Sequence, residues 1–165
     1  MKKYKIGVFG SSAGDYQSAS QKAKSLGKVL AQKNCTIITG ASSGLPYLVA
    51  FEGNKNGAEI IGFSPELNMK NQKLFMPNDD ISIYKKIIYV PKSFPVKNFR
   101  PARQKYRNVI STANCDAGII VSGRWGSLNE FTNLIDMGKI IGVLTGTGGI
   151  ADELKRLNKK IIKEL

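Results

Sequence analysis

The 165-residue chain contains no histidine. Its absence removes the commonest general base, the commonest metal ligand and any Ser-His-Asp arrangement. Carboxylates, arginines and hydroxyls are left to carry any chemistry, and no metal is expected. Cysteine is scarce as well. Cys35 and Cys115 sit next to predicted strands without metal-ligand spacing, so they read as small buried side chains in a reducing compartment. No apolar run is long enough to cross a bilayer, and the first residues pass directly into a strand pattern rather than a signal peptide. A cytoplasmic protein without a membrane partner is expected.

Acidic residues are in deficit, with 12 Asp and Glu against 25 Lys and Arg and a formal charge of +13. Most of the basic residues are lysines spread over every segment, the pattern of solvated faces, so nucleic acid is not the expected partner. Arginine is distributed differently. Of the five present, Arg100, Arg103, Arg107 and Arg124 fall in one short region. A guanidinium presents a planar fork suited to phosphate and carboxylate, so this concentration points to an acidic small molecule.

The length suits one domain with a full core, and strand and helix patterns alternate along it. A short apolar run, Lys5 to Phe9, ends in Gly10, Ser11, Ser12, Ala13 and Gly14, and a helical pattern follows from about Tyr16 to Lys33. Cys35 to Thr39 leads into Gly40, Ala41, Ser42, Ser43 and Gly44, then a helix over 45–56 with Pro46 in its first turn. Glu59 to Phe63 is a third strand, and from Glu66 to Tyr84 the periodicity lapses into an expected surface loop. Lys86 to Val90 is a fourth strand. The helix that starts near Pro101 carries Arg100, Arg103 and Arg107 on one stripe, able to face a ligand or to pair with acids. Two further strands, Ala117 to Val121 and Ile140 to Leu144, precede helices from Gly126 and Ile150. This alternation predicts an α/β fold, an open, mainly parallel sheet with helices on both faces, in which the strand-end turns line one cleft.

The centre of the pattern is Arg107 to Glu130, RNVISTANCDAGIIVSGRWGSLNE. A buried strand, a glycine-containing turn and a helix start converge there, a seat for an anion because free N–H groups and the positive end of the helix dipole point at one spot. The glycine spacing of the first turn lacks a dinucleotide fingerprint, and no acidic residue ends the second strand, which argues against NAD.

Three blocks, KIGVFGSSAGDYQSASQKAKSLGKVLA, ITGASSGLPYLVAFEGNKNGAEIIGFSPE and the stretch from Arg107 to Glu130, resemble those of the Lonely-guy (LOG) family, once described as lysine decarboxylases. In its signature, proline-glycine-glycine-x-glycine-threonine-x-x-glutamate, Gly123, Trp125, Gly126 and Glu130 fall in place and Ser127 keeps the hydroxyl of threonine. Ser122 and Arg124 depart from it, standing for the proline and the second glycine.

The resemblance implies a single Rossmann-like domain, usually a homodimer, that hydrolyses the N-glycosidic bond of a nucleoside 5′-monophosphate without a cofactor. Arg107 matches the catalytic arginine and Glu130 the catalytic glutamate; Asn108 stands where a lysine is common. Substrate contacts are expected from Gly10, Ser11, Ser12, Gly40, Arg103, Gly123, Arg124, Trp125, Gly126 and Ser127. Cleavage develops positive charge on the ribose, which a carboxylate beneath the sugar can stabilise while it orients water. The GLPY form of the second block also resembles molybdenum-cofactor carrier proteins, which bind a phosphorylated pterin without hydrolysing it.

Overall fold

The computed structural model describes residues 3–12 and 17–163. Its strands are β1 (Lys5–Gly10), β2 (Thr36–Thr39), β3 (Glu59–Phe63), β4 (Lys86–Ile88), β5 (Ala117–Val121) and β6 (Ile140–Leu144). The helices are α1 (Gln17–Gln32), α2 (Leu45–Lys55), α3 (Met69–Phe75), α4 (Arg100–Ala113), α5 (Trp125–Asp136) and α6 (Gly149–Lys163). All six strands are parallel, in the order β4-β3-β2-β1-β5-β6. Ala13, Gly14 and Tyr16 of the expected first turn and helix start lie outside the described residues. No helix among the described residues is long and apolar enough to cross a membrane.

Neighbouring strand residues point to opposite faces, and the two cores follow from that alternation. Val8 and Ile37 pack on one side with Ala19, Ala23 and Leu30 of α1 and with Leu45 and Val49 of α2. Phe9, Ile38 and Ile120 pack on the other with Phe131 and Leu134 of α5 and Leu154 of α6. A parallel sheet covered on both faces needs apolar residues at consecutive positions, and short runs such as TIIT and AGIIV supply them.

The chain leaves β1 toward β2, β3 and β4, then crosses back to place β5 on the other side of β1. That reversal opens a crevice beyond the carboxyl ends of β1 and β5, the usual ligand position in an open sheet of this kind. At its floor β1 and β5 approach closely: a Cβ on Gly10 would collide with the backbone carbonyl of Val121. Only a glycine fits there.

Residues 66–84 differ from the expected loop. Asn68 caps α3 by accepting a hydrogen bond from the Asn71 N–H at 2.9 Å, and a 3₁₀ turn follows at Ile81–Ile83. The fully buried residue of α3 is Gln72, whose amide donates to the Ala41 carbonyl at 3.0 Å and accepts from the Ser64 hydroxyl. Because a polar side chain takes the inward position, the helix leaves no hydrophobic period in the sequence. The segment props the turn after β2 from beneath.

Gly10→Ala is expected to destabilise the fold by at least about 2 kcal/mol, since neither β1 nor β5 can shift without breaking the ladder between them. Urea unfolding followed by circular dichroism measures this; stability equal to the parent would contradict the close approach.

Candidate active site

One cavity of about 310 Å³ lies in the crevice, at the small end of ligand-binding cavities. Gly10, Ser11 and Ser12 reach it from the end of β1, and Gly40, Ser42 and Ser43 from the end of β2. Pro46 enters from α2, and Gln104, Lys105, Arg107 and Asn108 from α4. The remaining wall is Arg124, Gly126, Ser127 and Glu130 at the start of α5. Two helix amino-termini, those of α2 and α5, therefore open on the same space, and both favour negative charge.

Arg107 projects from α4 toward the end of β2, where its Nη1 donates to the Gly40 carbonyl at 2.6 Å. The approach is close enough that a Cβ on Gly40 would strike the guanidinium. Its Nε is buried without a hydrogen-bond partner among the described residues. Burial lowers the affinity of this guanidinium for its proton, and the charges of Glu130 and Tyr84 oppose that effect.

Glu130 stands one turn into α5 and is 5 % exposed. Burial pushes its carboxyl up to about 7, against the pull of Arg107 and then Lys105. Among the described residues no hydrogen bond to the carboxylate occurs, and the charges of Arg107 and Lys105 act on it across the cavity. A buried carboxyl that titrates near neutrality and faces a cavity is suited to proton transfer.

The turn between β5 and α5 has its own backbone. Ser122 adopts φ 55°, which a proline ring cannot, so this turn follows a path closed to the proline-glycine-glycine form. Gly123 has φ 103°, and a Cβ there would overlap the Ser127 side chain. Arg124 precedes α5 at φ −132°, ordinary extended backbone, so the arginine costs no strain where the signature has glycine. Its side chain is exposed at the cavity wall.

The structure brings together Gly10, Ser11, Ser12, Gly40, Arg107, Arg124, Gly126, Ser127 and Glu130. It places Arg103 elsewhere. Arg103 donates from Nε to the Pro65 carbonyl at 2.8 Å and from Nη1 to the Lys97 carbonyl at 2.6 Å, and its Nη2 lies 3.5 Å from Glu66. Arg100 pairs with the same buried carboxylate at 3.4 Å. The arginine stripe is thus divided: two members clamp Glu66 and one faces the cavity. Gly123 shapes the turn without lining the cavity, and Trp125 is 82 % exposed outside it. The glycine turn before α6 is also committed internally, with Asp152 accepting from the N–H groups of Gly146 and Gly148 at 2.6 and 2.9 Å. Among the described residues no cluster of potential metal ligands occurs.

Sequence reasoning had not singled out Gln104, Lys105 or Pro46 as lining residues. On α4, Gln104 and Lys105 are three and two residues before Arg107, so helical spacing from Arg107 could have flagged Gln104.

A family model, the SLOG cluster4 family, matches residues 3–164, and the chain belongs to that family. No curated protein matches it significantly. Among solved structures it is similar to TM1055, a structural-genomics target, with TM-score 0.75 and 19 % identity over 93 % of this chain and 81 % of that one. It is also similar to the molybdenum cofactor binding protein of Rippkaea orientalis, with TM-score 0.66 and 20 % identity over 86 % and 76 %. DNA processing protein A of Helicobacter pylori gives TM-score 0.69 and 18 % identity over 94 % and 73 %. These likenesses establish a Rossmann-like fold shared with proteins of different function.

The raised carboxyl of Glu130 has a measurable consequence for stability. The folded protein keeps a proton that the unfolded chain releases near the ordinary value of 4.5, so Glu130's contribution to stability is fully present below pH 4.5 and is lost as pH rises through about 7. Glu130→Gln lacks this penalty. The stability of the variant relative to the parent is expected to increase across that window, at no more than about 1.4 kcal/mol per pH unit, and then to level off. Thermal or urea unfolding at several pH values checks it; a constant difference would mean that Glu130 titrates as an exposed carboxyl.

Proposed function

We propose that this protein hydrolyses the N-glycosidic bond of a nucleoside 5′-monophosphate, releasing the free base and ribose 5-phosphate. The observation that carries the reading is the buried carboxylate of Glu130, which shares a cavity of about 310 Å³ with Arg107 and the amino-terminus of α5. The phosphate sits at the start of α5, against Gly126 and the Ser127 hydroxyl, with Arg124 beside it. The ribose then lies over Glu130, and the base extends toward Gly40 and Arg107.

In the reaction the C1′–N bond lengthens and positive charge grows on the ribose. Ionised Glu130 stabilises that charge and takes a proton from the attacking water, whose oxygen bonds to C1′. The bonding pair leaves on the base nitrogen, which takes a proton from solvent while Glu130 returns its own to solvent, so the water is divided between sugar and base; Arg107, fixed on the Gly40 carbonyl, steadies the departing base. A cytoplasmic homodimer is the setting this reading implies.

A second reading is favoured by Arg124. A guanidinium at the cavity wall can hold a phosphorylated ligand in place of turning it over, and the similar structure from Rippkaea orientalis is that of a molybdenum cofactor binding protein. A binder of a phosphorylated nucleotide or pterin would use the same anion seat.

Incubation with AMP and N6-substituted AMP, followed by chromatography for free base, separates the two. Hydrolysis is expected to rise with pH through about 7 as Glu130 ionises, and to fall at least about a hundredfold in Glu130→Gln. Thermal stabilisation by AMP with no base released above the Glu130→Gln control would favour the binder.

A further inference from the structure

The residues next to the two facing groups are themselves joined. Asn108 follows Arg107 on α4, and Asn129 precedes Glu130 on α5. The Asn108 Nδ2 donates to Asn129 Oδ1 at 3.0 Å and approaches the Gly126 carbonyl at 3.5 Å. A main-chain carbonyl can only accept, so the amide is held with its nitrogen toward α5. The geometry is local to the cavity, since Asn108 lines it and is 3 % exposed.

This amide is poorly served as a stabilising group. Its Oδ1 is buried without a partner among the described residues, an arrangement that costs folding free energy which a similarly shaped apolar side chain would avoid. What it does supply is a directional tie between α4 and α5. Arg107 has a second fixed point at Gly40 on the sheet, whereas Glu130 has no hydrogen bond of its own among the described residues. The separation of the guanidinium from the carboxylate therefore depends on how α5 is held against α4.

We propose that Asn108 and Asn129 are positioning residues, whose hydrogen bond sets the distance between Arg107 and Glu130 across the cavity. The proposal rests on the reading of these two groups as the working pair of the site, and it assigns a role to Asn108 where relatives of the LOG type commonly have a lysine. A lysine would add a third cation from α4 beside Arg107 and Lys105. Asparagine adds none, and leaves the charges acting on Glu130 to Arg107 and then Lys105, both from α4.

The test is Asn129→Ala, made at a half-buried position and read first by carbon-13 NMR titration of the Glu130 carboxyl in the full chain. Freed of the tie, α5 carries Glu130 away from Arg107, and the carboxyl midpoint is expected to rise by about half a pH unit or more. Asn108→Ala is expected to shift it in the same direction; should that variant fail to fold, Asn129→Ala decides. If AMP is turned over, kcat falls at least about tenfold in Asn129→Ala while KM stays within about twofold, because alignment and not ligand capture is lost. A midpoint that stays in place or falls overturns the proposal, even if the melting temperature drops. The NMR midpoint does not depend on turnover, so failure of the hydrolase reading and failure of the tie are seen separately.

Discussion

The hydrogen bond from Arg107 to the Gly40 carbonyl is the contact on which the cleft depends. It crosses from the helix before β5 to the strand end beyond β1, and so spans the point where the sheet reverses direction. A glycine is needed at 40 because the guanidinium occupies the space of a side chain there. The strand end is supported from beneath by Gln72 on the neighbouring Ala41 carbonyl. The arginine is thus placed by three segments far apart in the chain, and its charge reaches a carboxylate that nothing else neutralises closely.

Burial sets the chemistry of the pair. Removing Glu130 from water raises its carboxyl far above the ordinary value, and the two α4 cations recover part of the difference. Arg107 is affected in the opposite sense by the same exclusion of solvent. Each group makes the charged form of the other less costly, so the site is electrostatically one unit. Arg124 and Lys105, exposed at its walls, can neutralise an incoming phosphate, and Lys105 also acts on Glu130.

Much of this arrangement was legible in the sequence. The strands Glu59–Phe63, Ala117–Val121 and Ile140–Leu144 have the bounds that their apolar runs predict, because strands covered on both faces need such runs. The order strand, glycine turn, helix marks the stretch from Arg107 to Glu130 as an anion seat, and the resemblance to the LOG family points to these two residues within it. Arg103 illustrates what spacing cannot show. It shares a helical stripe with Arg107, yet Glu66, distant in sequence, draws it and Arg100 away from the cleft. α3 was illegible for a related reason, since its one fully buried side chain is an amide whose partners lie in two separate turns. The backbone of Ser122 was equally hidden, as a positive φ at serine carries no signature in composition.

A chain without histidine is usually indifferent to mild acidification, because its exposed carboxyls and lysines hold their charge through the neutral range. Here a carboxyl enclosed by the fold takes over the part an imidazole would play, and it does so at the cleft floor. Modest acid stress in the surroundings would therefore alter the charge that the interior of the cleft presents to a ligand.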